Sequence, residues 1–138
     1  MNLGQMVLVL LSIVLFSTLL LGIYNSLMTQ MDFAVRNIYQ TQGLKISDAI
    51  FQRYESFLIG KRINFENLED EIRAFESFRF QGVDYSVNIT SQVTNRDGVS
   101  AIPPTNHLRI DTTTTADLGN RTIHAGNFSK ILSRVYDD

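Results

Sequence analysis

The two histidines of the chain, His107 and His124, are the first candidates for chemistry, because imidazole binds transition metals and transfers protons near neutral pH. Both lie in or beside predicted strands, and neither has a paired acid at the spacing of a metal site. The chain contains no cysteine, which excludes disulfides, thiolate catalysis and zinc ligation by sulfur. We therefore interpret both histidines as surface side chains.

Acidic residues are the next candidates, because carboxylate oxygens bind calcium and paired carboxylates perform acid–base catalysis. None of them has the spacing of an EF-hand loop. Four of these residues, between 66 and 71, lie at the start of a predicted helix, where the helix dipole stabilises negative charge. A solvated helix face is therefore their preferred interpretation. The group on the predicted helix is Glu66, Glu69, Asp70 and Glu71, and the other candidates, in or near predicted loops, are Asp97, Asp111 and Asp117.

No motif of an enzyme active site is present in the sequence. It contains no nucleophile elbow, phosphate-binding loop or dinucleotide fingerprint. A net charge of −2 without a basic cluster provides no electrostatic surface for nucleic acid. We therefore predict a protein that is not an enzyme, with no catalytic residue, metal site, cofactor, small-molecule substrate or nucleic-acid partner.

Three glycosylation sequons begin at Asn88, Asn120 and Asn127. The motif matters only in a compartment that contains the transferase. In a chain rich in Asn, Ser and Thr, one or two sequons arise by chance. Chance is the preferred interpretation of these motifs from the sequence alone.

The element that dominates the chain is an apolar run at residues 6–24. No residue from 1 to 31 has a charged side chain. At 1.5 Å per residue the run extends about 28 Å, close to the hydrocarbon thickness of a bilayer. A cleavable secretory signal is the alternative, but no Lys or Arg precedes the run and no cleavage motif follows Tyr24. We predict a membrane-spanning helix.

Helical periodicity continues beyond the apolar run, where apolar positions recur between polar ones at helical spacing. Gly43 predicts a bend in this amphipathic segment, or is a tolerated surface glycine. Gly60, followed by Lys61 and Arg62, predicts the end of the helix. The apolar positions are Met28, Met31, Val35, Ile38, Ile46, Ile50, Tyr54 and Phe57.

Residues 61–138 are sufficient for one small core. Residues 64–75 predict a short second helix with Asn64 as its N-cap. From residue 78 the period becomes two, which indicates strands. The first strand lies near residues 83–93. The second strand starts near residue 106, with its threonine run at a solvent-facing edge. The residues predicted to face the core are Val83, Tyr85, Val87, Ile89 and Val93 of the first strand and Leu108, Ile110, Thr112 and Thr114 of the second.

A third, short strand is predicted at residues 121–125, which completes an antiparallel meander. The segment after it, around Phe128 and Ile131, has helical spacing but strand-forming residues, and we prefer a strand with a frayed end at Tyr136. One face of this sheet must be covered, and the amphipathic half of the first helix is the available partner.

These features together resemble the type IV pilin and pseudopilin class. The chain has a short leader that ends in glycine, an uncharged apolar helix that continues as an amphipathic one, and a small sheet without an active-site motif. The hairpin that contains the stretch HLRIDTTTT also resembles minor pilin-like subunits. The resemblance implies a pilin-like α+β fold with a leader at residues 1–4, the long helix at 5–60 and a soluble domain at 61–138, whose antiparallel sheet packs on the helix.

The resemblance also implies processing by a prepilin peptidase, which would cut after Gly4 and leave Gln5 as the new amino terminus. Val9 stands where members of this class usually carry a glutamate. Without that carboxylate, the register between subunits would depend on apolar packing.

The implied function is that of a structural subunit of a type IV pilus-like or secretion pseudopilus filament. Its partners would be copies of itself or other pilin-like subunits, the membrane and the prepilin peptidase. It would lie in the cell membrane as a single-pass protein before assembly and at the cell surface, in an extracellular filament, afterwards. The implied membrane and filament-core residues are Met6, Leu8, Leu11, Leu15, Phe16, Leu19 and Ile23, and the implied subunit-packing residues are Met31, Val35, Ile38, Ile46, Ile50 and Phe57.

The alternative is a permanently anchored single-pass membrane protein whose amphipathic segment forms a coiled coil and whose sheet binds a partner. The apolar stripe follows a repeat of about 3.6 residues rather than the 3.5 of a coiled coil. Ordered charge pairs beside the stripe are also missing. These patterns favour the filament subunit and leave the anchored protein open.

Overall fold

The structure, a computed structural model, describes residues 2–103 and 105–134. The chain divides into two compact units, Met1–Asn37 and Ile38–Asp138. The predicted α+β class is confirmed, since a long N-terminal helix packs against a four-stranded antiparallel sheet. The packing between helix and sheet lies within the second unit.

Helix α1, Leu3–Ile59, has 57 residues and includes both the apolar run and the amphipathic segment. Its first turn is capped reciprocally. The backbone N–H of Asn2 donates to Gln5 Oε1 at 3.3 Å, and the N–H of Gln5 donates to the Asn2 carbonyl at 2.9 Å. These bonds satisfy groups that have no partner inside the helix.

Helix α1 ends at the predicted place, but its left-handed residue is Lys61, with φ of 52°. The N–H of Arg62 donates to the Phe57 carbonyl at 3.0 Å, and that of Lys61 to the Leu58 carbonyl at 3.1 Å. This is the bonding pattern of a Schellman motif. Gly60 has a different role, because a Cβ there would lie 2.9 Å from the carbonyl oxygen of Ser56.

The second helix predicted over residues 64–75 is largely wrong. A 3-10 turn, Phe65–Asn67, leads into a single helical turn, α2, Leu68–Glu71. Asn64 makes no side-chain cap hydrogen bond, and Phe75 already belongs to a strand. A helix of this length is unstable alone, whereas strand pairing provides residues 75–80 with backbone partners.

The sheet is an antiparallel meander in the order β1-β2-β3-β4. The meander is confirmed, and β1 is a strand that the sequence analysis does not predict. The segment around Phe128 is part of β4, as preferred, and β4 is one strand of 12 residues rather than a short one; Tyr136 lies outside the described residues. The strands are β1 Phe75–Phe80, β2 Val83–Thr94, β3 His107–Asp117 and β4 Thr122–Ser133.

Strand β3 pairs with β2 and with β4 along its length, so the prediction that its threonines lie at an edge is wrong. Thr112 and Thr114 point inward and are buried, as predicted. The position of a strand within a sheet depends on its neighbours, which the local pattern does not encode.

The core lies between the second half of α1 and the inner face of the sheet. The alternation predicted for β3 is confirmed there, because its inward residues are buried. In β2 it is confirmed at Tyr85, Val87 and Ile89, whereas Val83 and Val93 are only half-buried. The predicted cover is confirmed too. The core residues are Ile50, Phe51, Tyr54 and Leu58 of α1, Leu68 of α2, Val87 and Ile89 of β2, Leu108 and Ile110 of β3, and Leu132 of β4.

Candidate membrane and assembly surfaces

The apolar run at residues 6–24 of α1 is exposed at every position. Helix α1 contains an 18-residue window with a mean hydropathy of 2.8, none of it buried, and it is the one described helix that is long and apolar enough to cross a membrane. Apolar side chains on every face are unfavourable in water, so the run is consistent with membrane anchoring. The predicted membrane residues Met6, Leu8, Leu11, Leu15, Phe16, Leu19 and Ile23 are 49% to 65% exposed.

Two hydroxyl groups within this run bond to the helix itself, which suits lipid surroundings. Ser12 Oγ donates to the Leu8 carbonyl at 2.8 Å, and Thr18 Oγ1 donates to the Val14 carbonyl at 2.7 Å. These two polar side chains therefore need no water.

The predicted processing residues, Gly4 and Gln5, lie in the first turn of α1. A Cβ at Gly4 would have no heavy atom within 4 Å. The surroundings of this peptide bond are therefore open, and the glycine has no packing role in the described chain.

The predicted subunit-packing residues lie in two environments. Met31 and Ile38 are 63% and 60% exposed, and Val35 is half-buried. Ile50 is 2% exposed and lies in the chain's own core, against which Ile46 and Phe57 also pack. Another molecule could contact the exposed members directly, whereas contact with Ile50 would require the core to open.

Gly43 is buried where α1 meets β4, a role that the sequence analysis misses. A Cβ at this position would lie 2.3 Å from the carbonyl oxygen of Ala125 and 2.9 Å from its Cβ. The register of β4 shifts at the same place, opposite Thr114 and Thr115. The interpretation of Gly43 as a surface glycine is wrong, because the residue is buried and permits a close approach of helix and strand.

Three buried hydroxyl groups connect α1 to the central strand. Thr112 Oγ1 donates to Ser47 Oγ at 2.9 Å, and Ser47 Oγ lies 3.3 Å from Thr114 Oγ1. All three residues are at most 1% exposed. Buried hydroxyls need partners, so these contacts favour one register of the helix on the sheet. The inward threonines are visible in the sequence, but the partner Ser47 is not.

Ion pairs surround the contact between helix and sheet. They connect α1 to β1, α1 to β4, and the 3-10 turn to the residue that follows β4. Partly exposed pairs of this kind contribute little stability each. They lie at the periphery of the hydrophobic core. The pairs are Arg53 with Glu76, Glu55 with Lys130 at 2.7 Å, and Glu66 with Arg134 at 2.8 Å.

Two ionisable groups in this contact have shifted pKa values. Burial lowers the pKa of Arg53, but the hydrogen bond to Glu76 and its negative charge outweigh that effect, so the pKa is raised. Burial raises the pKa of Tyr85, and the nearby Tyr39 raises it further. Both shifts favour the ordinary states at neutral pH, a charged guanidinium and a protonated phenol. They indicate structural roles.

The candidates for chemistry lie apart from one another. His107 Nδ1 is 2.8 Å from Ser133 Oγ, and His124 is exposed. Glu66 and Arg134 line a cleft of about 370 Å³ beside the end of α1. Within residues 2–103 and 105–134, no group of three or more His, Asp or Glu side chains could hold a metal ion.

Arg109 holds the loop that follows β2, which the sequence analysis also misses. Its guanidinium donates to Asp111 Oδ2 at 2.9 Å, to Gln92 Oε1 at 2.8 Å and to the carbonyl of Gly98 at 2.9 Å. Asp111, a sequence candidate for calcium, therefore serves an ion pair on the outer face of the sheet.

No protein-family model, curated protein or solved structure matches the chain. Its function has to be inferred from its own residues and geometry.

Proposed function

We propose that the chain is a structural subunit of a type IV pilus-like or secretion pseudopilus filament, assembled through its N-terminal helix. The observation that carries the proposal is the contrast within α1. Residues 6–24 are apolar and exposed on every face, whereas the part of α1 from Gly43 to Leu58 is covered by the sheet. One helix thus combines a segment that requires external apolar surroundings with a segment that completes a folded domain.

The apolar segment suits assembly because lipid and a bundle of like helices are similar surroundings for it. Both keep apolar side chains away from water, and association inside them depends on packing. A subunit could therefore leave the membrane for a filament core without exposing the segment to water. Partners of the chain would be further copies or similar subunits, with the membrane as its location before assembly and the cell surface afterwards.

The exposed part of α1 between the apolar run and Gly43 would provide the outer subunit contacts. Met31 and Ile38 are large, apolar and exposed, and Asp32 and Arg36 form an ion pair of 2.9 Å between them in sequence. Processing by a prepilin peptidase after Gly4 belongs to the same proposal. The native chain would then have the intact mass of a protein that begins at Gln5.

Cysteine cross-linking tests the proposal, because the natural chain has no cysteine and hence no background. The double variant Met31→Cys with Ile38→Cys is oxidised in the membranes and in the filaments sheared from cells. A filament subunit has several neighbours, so we expect a ladder of trimers and longer species on a non-reducing gel. A dimeric coiled coil would stop at the dimer.

The matched control replaces one exposed position by a buried one, in the double variant Met31→Cys with Ile50→Cys. Ile50 is 2% exposed, so this variant should yield no species beyond the dimer. Dimers alone from the first variant, in assembled material, would contradict the filament proposal and favour the permanently anchored protein.

A further inference from the structure

The outer face of the sheet carries two asparagines in register. Asn88 of β2 and Asn127 of β4 each lie opposite Thr113 of the central strand. Both asparagines are exposed. Since neighbouring strands are about 4.8 Å apart, the two side chains arise roughly 10 Å from each other in one cross-strand row.

The hydroxyl residues of the two sequons occupy the adjacent row. Thr90 and Ser129 each lie opposite Asp111. Residues two apart in a strand share a face, so each asparagine and the hydroxyl two positions later lie on the outer face together. Two sequons are thus displayed side by side at the centre of this face.

These asparagines have no visible role in the sheet. Asparagine is depleted in strands, and among the described residues the side-chain amides of Asn88 and Asn127 have no hydrogen-bond partner. Asn95 shows the contrast, since its Oδ1 accepts from the backbone N–H groups of Asp97 and Val99 at 3.0 Å. A covalent bond from each amide nitrogen to another group would account for two exposed asparagines in the middle of strands.

We propose that Asn88 and Asn127 carry N-linked oligosaccharides on the outer face of the sheet. The donor is an oligosaccharide joined through its anomeric carbon to a polyprenyl phosphate or diphosphate. The asparagine Nδ2 forms a bond to that carbon, the bond from the carbon to the phosphate oxygen breaks, and the amide loses one proton while the phosphate leaves. No oxidation or reduction occurs. The sequon hydroxyl supports recognition by the transferase.

The pairing of β2 determines when Asn88 can react. At this residue β2 is bonded on both sides, to β1 opposite Phe75 and to β3 opposite Thr113. A folded sheet cannot release this segment into an enzyme site, so the transfer precedes sheet formation. The third sequon asparagine, Asn120, is exposed in the turn between β3 and β4, where it stays accessible after folding. The glycosylation proposal holds equally for a filament subunit and for a permanently anchored protein.

Peptide mass spectrometry of the chain purified from its natural source tests the proposal. Peptides that contain Asn88 and Asn127 should each gain the mass of an oligosaccharide. The variants Asn88→Gln and Asn127→Gln should each lack the oligosaccharide mass at the substituted site. Each should also migrate faster on a gel by the shift that one oligosaccharide causes. Thr90→Ser should retain the modification of Asn88, whereas Thr90→Val, which keeps a branched strand-forming residue, should abolish it.

Asn95→Gln is the matched control, since Asn95 is exposed but begins no sequon, and it should change no glycan mass. Unmodified Asn88 and Asn127 peptides would overturn the proposal. Sugar on the hydroxyls of the β3 threonines instead of on the asparagines would overturn it as well. Modification of Asn120 alone would also overturn it, because that pattern indicates a transferase acting only on the folded sheet.

Discussion

The two halves of α1 share a secondary structure and differ in what surrounds them. Residues 6–24 are exposed throughout, whereas the part beneath the sheet buries Gly43, Ser47, Ile50, Phe51, Tyr54 and Leu58. The first half depends on the apolar character of its side chains. The second half depends on their shapes, since it packs against a sheet and protein interiors are close-packed.

The glycines of the two halves show the same difference. A Cβ at Gly22 would have nothing within 4 Å, whereas a Cβ at Gly43 would collide with the Ala125 backbone. A methyl group is therefore neutral in one half and disruptive in the other. Substitutions at matched positions in the two halves test this difference.

The largest effects should come from introduced charges. Leu11→Arg with Leu15→Arg costs about 6 kcal/mol in the bilayer centre and should move the chain from the membrane fraction to the soluble or degraded fraction. Ile50→Arg buries an unpaired charge, costs roughly 3–5 kcal/mol, and should leave the chain in the membrane with an unfolded sheet. Cell fractionation and limited proteolysis measure the two outcomes separately.

The control for the charge variants is Leu11→Ile with Leu15→Ile, which keeps the membrane segment apolar and should leave fractionation unchanged. If the double arginine variant fractionates with the membrane as the parent does, residues 6–24 are not the anchor. If Ile50→Arg resists proteolysis as the parent does, Ile50 is not part of the core that folds the sheet.

An intermediate effect should distinguish the two glycines. Gly43→Ala forces α1 away from β4 and should lower the free energy of unfolding by roughly 2–3 kcal/mol. Gly22→Ala should leave the sheet's stability unchanged and favour the helix by up to about 1 kcal/mol. Pulse proteolysis of the full chain in detergent micelles, across a urea series, measures both. Equal midpoints for the two variants would refute the close packing at Gly43.

The smallest effect is expected from removal of a serine hydroxyl, which is buried at Ser47 and exposed at Ser12. Ser47→Ala removes the partner of Thr114 and a partner of Thr112, so it should lower the free energy of unfolding by about 1–2 kcal/mol. The triple variant Ser47→Ala, Thr112→Val, Thr114→Val should recover part of that loss, because no hydroxyl then lacks a partner. Ser12→Ala, in the exposed half, is the matched control and should change nothing in the same urea series. A loss from Ser12→Ala as large as that from Ser47→Ala would contradict the assignment.

Features that depend on local periodicity and backbone chemistry can be predicted from the amino-acid sequence. Composition and spacing predict the uncharged run at residues 6–24 and the inward positions of Val87 and Ile110. Backbone chemistry predicts the end of α1 beside Gly60. The expectation that the sheet needs cover, and that the amphipathic helix supplies it, also follows from the sequence. For the apolar run, the helix end and the inward positions, the relevant neighbours lie within a few residues, where helical and strand periods are visible. The cover follows from a general rule, since the apolar face of a sheet and that of an amphipathic helix each need a partner.

Features that depend on distant partners become visible only in the folded chain. Gly43 has its role because of the Ala125 carbonyl, and residues 75–80 form a strand because β2 pairs with them. Ile50 and Ile38 fit the same helical stripe, but the sheet buries the first and leaves the second exposed. The register that aligns Asn88 with Asn127 is also absent from local spacing. Strand order and helix–sheet packing depend on contacts between segments far apart in the chain, and side-chain periodicity does not encode which segments meet.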